Sequence, residues 1–531
     1  MRKVHPAALS ALTGLLLYAA WPESPLTLLV FVAFIPLLWL ERQGMRRARF
    51  FGWVYLSMLI WNIGATWWIW NSTGPGAAAA ILANSLLMCV PWLGFHWIRN
   101  RMGNIFGYSS LIFFWLSFEY FHLQNWGLSW PWLTLGNIFA CHPKWVSWYQ
   151  ATGTSGGSLW ILIVNVLLFQ WLWQFAKHRH FTWRPLAISL ALIILPVFLS
   201  LIAMPKKSDD NIGKPACNIV IVQPNIDPYE KVETGTFDAQ LQKLIRLSES
   251  AIDSNTVLVV WPETALFLET GSIEEDHIKE YHFLRPLWGF LDRHPRLDLL
   301  SGLESARYFD DQHSSTAFRI PGTAKYEESY NAAAILDTGG LVQSYHKSRL
   351  VPGVETLPFF LHFLDSWFEK FGGTTAGYTG QSERNPLITT NSTYKIAPAV
   401  CYESIYGEFL SRFSHNGADL IAIITNDGWW GNTPGHRQHR DYARLRAIET
   451  GHWIVRSANT GISCVIDPHG RITESLPWDT SGVIKASVPA TPKLTFYSRY
   501  GDCISKLAAA LTILLFVWHF STMIKRRTSR G

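Results

Sequence analysis

Three reactive side chains stand just past the ends of apolar, β-branched runs in this sequence. Trp261-Pro262-Glu263-Thr264 puts a carboxylate directly after one run, with Pro262 ending the strand pairing. Tyr345-His346-Lys347-Ser348-Arg349-Leu350-Val351-Pro352 puts a lysine beyond a hairpin built on Gly339-Gly340. Ala397-Pro398-Ala399-Val400-Cys401-Tyr402-Glu403-Ser404 leads an apolar strand into a thiol, an acid and the expected start of a helix. A thiol at such a strand-to-helix turn is expected to lean towards thiolate, the form that attacks carbonyls. Meeting in one cleft, the three groups would supply a base for the thiol proton, a cation for a tetrahedral oxyanion and a nucleophile. Taken singly each has a plainer reading: Cys401 as a small buried hydrophobe, Glu263 as a surface cap and Lys347 as a solvated charge.

The elements that must position these groups are short strands with helices between them. Runs at 218–223, 256–261, 297–302, 331–336, 396–401, 420–426, 453–458 and 464–467 read as strands. An amphipathic helix with Phe237, Leu241, Leu244, Ile245, Ser248 and Ile252 on one face joins the first two, and a second helix near 438–451 precedes the strand at Trp453. This predicts a layered α/β domain of about 270 residues, large enough for its own core.

The remainder of the chain is of a different kind. Its 531 residues are 49% hydrophobic and include 27 Trp, too apolar and too tryptophan-rich for an ordinary soluble enzyme. Seven segments, near 5–22, 26–41, 51–71, 77–98, 104–122, 155–176 and 184–204, approach the roughly 20 residues that cross about 30 Å of hydrocarbon, and an eighth follows at 504–524. The first has the basic start of a signal peptide but no small-x-small cleavage site, and reads as retained. Arg2 and Lys3, Arg42 to Arg49, Arg99 and Arg101, Lys177 to Arg184, and Lys525 to Arg530 all fall on one side if the N-terminus is cytoplasmic, as the positive-inside rule requires. The expected division is a seven-helix membrane domain at 1–205, a periplasmic catalytic domain at 216–492, and a final span with a basic cytoplasmic tail at 503–531, in a bacterial inner membrane. The outer joint 126–149 reads either as an aromatic belt at the interface or as the lining of a lipid entrance.

The order WPE, then a lysine before LVP, then CYE resembles the nitrilase or carbon–nitrogen hydrolase superfamily. Asn426-Asp427-Gly428-Trp429-Trp430-Gly431, Gln438-His439, Ala443-Arg444, Arg446-Ala447, Glu449 and Arg456-Ser457-Ala458-Asn459-Thr460-Gly461-Ile462-Ser463 resemble one branch, the apolipoprotein N-acyltransferases. So do Val222-Gln223-Pro224-Asn225-Ile226 and the arrangement of seven spans, outer domain and final span. The resemblance implies an αββα sandwich. It also implies transfer of a fatty acyl group from a phospholipid, through a cysteine thioester, to the amine of an S-diacylglyceryl-cysteine lipoprotein. By motif match Glu263 would be the base, Lys347 the stabiliser of the tetrahedral intermediate and Cys401 the nucleophile, with Tyr402, Glu403 and Glu355 in supporting positions. Val351-Pro352-Gly353-Val354-Glu355 departs from the common Val-Pro-Phe-Gly-Glu, and no tryptophan occurs in 226–232 where the family has one. The expected partners are a phospholipid donor, the lipoprotein acceptor and the bilayer, with no cofactor or metal, and the chain is expected to act as a monomer.

Other signals point away from other chemistries. His436-x-x-His439 lacks the HExxH pattern of a zinc protease, and the glycines of 372–380 lack a phosphate-loop lysine. The six cysteines contain no CxxC pair, though a Cys217–Cys464 disulfide is conceivable. The net charge of +6 is concentrated at the basic joints, so nucleic acid is not expected. An apolar run at 357–371, directly after Glu355, is expected to form a lid that guides acyl chains. Two rivals are a membrane-tethered hydrolase of a small amide and a non-catalytic scaffold or transporter. The apolar run and the spans count against the first, and the scarcity of ionisable residues in the spans, Glu119 being the main one, counts against the second.

Overall fold

The computed structural model describes residues 4–204, 217–231, 235–269, 271–356, 377–392, 394–490 and 494–528. The chain divides into two compact units. One comprises Met1–Trp70, Gly74–Met204 and Asp502–Gly531, and the other Asn71–Thr73 and Pro205–Gly501.

The first unit is helical. Among the described residues four helices are long and apolar enough to cross a membrane: Gly74–Met102, Tyr149–His178, Trp183–Ala203 and Cys503–Thr522. The other expected spans differ. Pro6–Ala20 has 15 residues, about 22 Å at 1.5 Å per residue. The next apolar stretch breaks into a 3-10 turn, Thr27–Phe31, and a short helix, Ile35–Glu41. Arg47–Thr66 and Asn104–His122 form helices of 20 and 19 residues but are not among the four apolar enough to qualify. Buried polar contacts tie these pieces together. Glu41 meets Arg99 Nε at 2.6 Å and His96 at 3.0 Å, and Asn165 binds the Phe34 N–H and the Val30 carbonyl. The helix Trp183–Ala203 leaves Ile188, Ile194, Phe198 and Ile202 more than half exposed, an outward apolar face that water would penalise and a bilayer would not. In the joint 126–149, residues 131–140 are all buried, and the Leu135 N–H donates to Glu119 at 2.8 Å. Residues 131–140 of this joint are therefore packed inside the helical unit, while Trp126, Trp130, Trp145 and Trp148 are only partly buried.

The second unit is a pair of sheets. Its strands are β1 (Cys217–Gln223), β2 (Thr256–Val260), β3 (Ile273–Glu274), β4 (Asp298–Phe309), β5 (Phe318–Arg319), β6 (Tyr326–Asp337) and β7 (Gly340–His346). They continue with β8 (Leu387–Ile388), β9 (Lys395–Val400), β10 (Leu420–Thr425), β11 (Ile454–Ala458), β12 (Cys464–Ile466), β13 (Ile472–Ser475) and β14 (Gly482–Val488). One sheet runs β14-β1-β2-β4-β6-β5, with β3 on β4 and β7 on β6, and the other runs β13-β12-β11-β10-β9-β8. The parallel pairs β9/β10 and β10/β11 explain why Leu420–Thr425 is apolar without alternation, since it is buried on both faces. Ser457 in β11 donates to the Val222 carbonyl of β1 at 2.7 Å, joining the sheets. On the outer side of the first sheet, helix Phe237–Glu249 buries the expected Phe237, Leu241, Leu244 and Ile245 in one core with Val220, Val222 and Trp261. The Trp261 indole N–H donates to Ser248 in the same helix. The strand at β14, unseen in the sequence, pairs antiparallel with β1 and brings the end of the domain back beside its start.

Candidate active site

Glu263 is placed by the way β2 leaves its sheet. Trp261 N–H bonds the Leu300 carbonyl and the Pro262 carbonyl accepts from Gly302 N–H, so the WPE segment stays against β4 after regular pairing stops. That closeness requires Gly302, because a Cβ there would lie 2.6 Å from Glu263 Cα. Lys231 braces the same segment from below, donating to Thr264 Oγ1 at 2.7 Å and the Glu263 carbonyl at 3.3 Å. Burial lowers the Lys231 pKa to about 8, with Glu263 and Glu304 opposing the fall.

Lys347 follows β7, its N–H held by the Asn331 carbonyl of β6. Its ammonium is buried and lies 3.1 Å from Glu263 Oε1 and 2.8 Å from Glu355 Oε1. Burial alone would discharge it, but the Glu263 and Glu355 carboxylates outweigh that effect and hold it well above the usual lysine range. Glu355 is aimed by its own turn, its N–H bonded to the Val351 carbonyl and its Oε2 to the Val351 N–H. Gly353, at φ +78°, takes the left-handed conformation there, so the Val-Pro-Gly-Val-Glu sequence still delivers the carboxylate.

Asn331, which the sequence did not mark, ties the cluster together. Its Nδ2 donates to Glu263 Oε1 at 2.9 Å and to Glu355 Oε1 at 3.1 Å. The second oxygen of Glu263 accepts the Asn426 N–H at 3.1 Å. Glu263 is thus fixed from three directions.

Cys401 directly follows β9 at φ +51°, a left-handed conformation uncommon for a side-chain-bearing residue. The structure corrects one expectation here. Cys401–Ile405 is a single 3-10 turn, followed by a separate helix Gly407–His415, so no long helix dipole points at the sulfur. Burial raises the thiol pKa, Glu263 and Asp427 add to the rise, and Lys347 and Thr425 only partly oppose it. The resting group is a neutral thiol.

Glu403 is a brace. Its Oε2 accepts the Val400 N–H at 2.9 Å, while Oε1 accepts the Ser348 and Arg349 N–H groups and the Tyr345 hydroxyl. One carboxylate therefore locks the cysteine turn to the lysine loop. Burial raises its pKa, and those donors oppose the rise. Tyr402 packs edge-on against Tyr406 at 5.4 Å. The structure accordingly joins Glu263, Lys347 and Glu355 directly, sets Cys401 in their electrostatic reach, and uses Glu403 to hold the two loops. Cys464 is a buried free thiol, so it forms no disulfide with Cys217. The expected lid at 357–371 lies outside the described residues.

Both units of the chain are similar to known proteins. Residues 218–492 match the family described as carbon-nitrogen hydrolase, and residues 13–167 match the apolipoprotein N-acyltransferase N-terminal domain. The chain is 30% identical over 525 residues to an apolipoprotein N-acyltransferase of Chlorobaculum tepidum, covering 96% of each protein. A relative of the same name from Pseudomonas putida is 27% identical over 525 residues, covering 96% of this chain and 94% of its own. One from Azotobacter vinelandii is 28% identical over 533 residues, covering 96% and 92%. A helical unit and a carbon–nitrogen hydrolase unit in one chain, matched end to end by these relatives, have a single family in common: the chain belongs to the apolipoprotein N-acyltransferases.

Proposed function

We propose that this protein moves a fatty acyl group from a membrane phospholipid to the N-terminal amine of S-diacylglyceryl-cysteine lipoproteins, by way of a thioester on Cys401. The observation that carries this reading is the buried Glu263–Lys347–Glu355 cluster beside a neutral thiol, in a chain that also bears membrane-length apolar helices. In the first step Glu263 takes the Sγ proton and the sulfur attacks the acyl ester carbonyl. Lys347 stabilises the oxyanion, and the intermediate collapses with loss of a lysophospholipid, whose oxygen takes the proton from Glu263. In the second step the lipoprotein amine attacks the thioester, Glu263 takes the amine proton, and the thiolate leaves and is reprotonated. Lys347 remains charged throughout because Glu355 stays paired with it. No step calls for a metal or a cofactor.

The basic residues at the helix joints support an inner-membrane protein with eight crossings, both termini cytoplasmic and the catalytic domain at 216–492 periplasmic. The domain at 1–205 and the final helix with its tail at 503–531 then serve as the anchor. Labelled acyl phospholipid and a diacylglyceryl-cysteinyl peptide test the reading: label should pass to the peptide amine with the wild type. Release of label as free fatty acid with the peptide untouched would instead indicate a hydrolase.

A further inference from the structure

A buried polar group beside Cys401 has no part in the transfer scheme above. Thr425 ends β10 directly after Ile424, whose ladder partner is Val400, so the threonine stands next to the nucleophile. Its buried hydroxyl donates to Asp427 Oδ1 at 2.9 Å. Asp427 has two further partners: His439 Nδ1 at 2.8 Å, from helix Pro434–Thr450, and Arg456 Nη2 at 2.5 Å, from β11. His439 Nε2 in turn faces the Ser404 hydroxyl at 2.8 Å and the Cys401 carbonyl at 3.1 Å. All of these side chains are fully buried or nearly so.

We infer that Thr425 is a further catalytic residue: its hydroxyl turns from Asp427 to the Cys401 sulfur as the thiolate forms, while His439 and Arg456 keep Asp427 paired. The inference rests on Cys401 being the nucleophile proposed above. A threonine hydroxyl has one hydrogen to give. In the resting protein that hydrogen belongs to Asp427, and the thiol keeps its own. When Glu263 takes the proton, the S–H bond breaks, a carboxyl O–H bond forms, and the sulfur is left anionic. Rotation about Cβ–Oγ then exchanges O–H···Oδ1 for O–H···S⁻, and no proton leaves the threonine. Asp427 tolerates the loss of a donor only because two cationic or polar partners remain, since an unpaired buried carboxylate is strongly unfavourable. When the sulfur becomes a thioester its charge disappears and the hydroxyl returns. When the amine later expels the sulfur, the same donor meets it again. The hydroxyl therefore serves both half-reactions.

The test uses full-length protein in detergent micelles and compares Thr425→Val, Thr425→Ala and Thr425→Ser. The first readout needs no lipid: the rate at which iodoacetamide alkylates Cys401, followed by mass of its peptide, between pH ~7 and ~9.5. Glu263, Lys347 and Asp427 face the sulfur, with Glu355, His439 and Arg456 behind them, and all six are kept in every variant. One hydrogen bond to a charged group is worth roughly ten- to hundredfold, so Thr425→Val and Thr425→Ala should slow alkylation by that factor at each pH. They should slow single-turnover acylation by labelled phospholipid similarly, and Thr425→Ser should restore both rates. A wild-type alkylation rate in either hydroxyl-free variant that still unfolds as cooperatively as the wild type overturns the proposal. Failure of the wild type itself to take up acyl label would overturn the function proposed above, and the alkylation rates would still decide the role of Thr425.

Discussion

Glu263 Oε1 lies 3.1 Å from Lys347 Nζ, and neither side chain is more than 9% exposed. The proposed base and the proposed oxyanion partner are thus already in contact before substrate arrives, and Asn331 holds the same oxygen at 2.9 Å. Such preorganisation removes reorganisation from the chemical step. It also makes the cluster fragile, because removing one partner of a buried pair strands the other charge at a cost of roughly 3–5 kcal/mol.

Asn331 should therefore matter more than a neutral amide usually does. Asn331→Ala deprives both carboxylates of a donor and should slow single-turnover acylation roughly ten- to hundredfold, with cooperative unfolding retained. Asn331→Asp puts a third carboxylate between Glu263 and Glu355 and should be worse. Equal rates for wild type and Asn331→Ala would refute the role.

The alkaline limb of activity should depend on Glu355. The folded Lys347 pKa lies above its unfolded value, so the ion pair's contribution is full below the ordinary lysine pKa of about 10.4 and is lost as pH rises through the higher folded value. Glu355→Gln removes one of the two carboxylates that raise it. Acyl transfer against pH should then fall off earlier on the alkaline side than in the wild type. An unmoved limb would mean that Glu355 does not hold the charge.

Glu263→Gln should separate thiol reactivity from turnover. The Glu263 charge raises the Cys401 pKa, so its removal lets thiolate form more readily while abolishing the base. Iodoacetamide should label Cys401 faster in the variant, and acyl transfer should nearly vanish. Slower labelling would contradict the electrostatic picture.

Gly302→Ala should act through Glu263 although it touches no substrate. The added methyl meets the Pro262–Thr264 backbone and must push the base outward, costing about 1–3 kcal/mol in stability and at least tenfold in acylation. Gly52→Ala, at an open position inside the helix Arg47–Thr66, should leave acylation unchanged and raise stability by up to about 1 kcal/mol.

The sequence made the three strand-end groups visible because each is announced locally: an apolar run stops and a reactive residue follows. The helix at 237–249 was equally plain from its apolar face. Asn331 was hidden, since it is one of several polar residues of β6 and its partners are carboxylates distant in sequence. Lys231 and Thr425 were hidden for the same reason, and His439 was visible only as part of a motif with no physical role attached. The state of Cys401 was misjudged because the dipole argument assumed a continuous helix where the chain makes one 3-10 turn. Apolar stretches alone did not show the turns that break 26–41 or the shortness of Pro6–Ala20, and among the described residues four helices qualify by length and hydropathy.

The proposed acyl carrier, Cys401, can be tested directly. Wild-type protein incubated with radiolabelled acyl phospholipid and no acceptor should retain label that hydroxylamine releases and that is chased onto a diacylglyceryl-cysteinyl peptide, while Cys401→Ala should retain none. Label absent from the wild type, or equal on Cys401→Ala, would contradict the account.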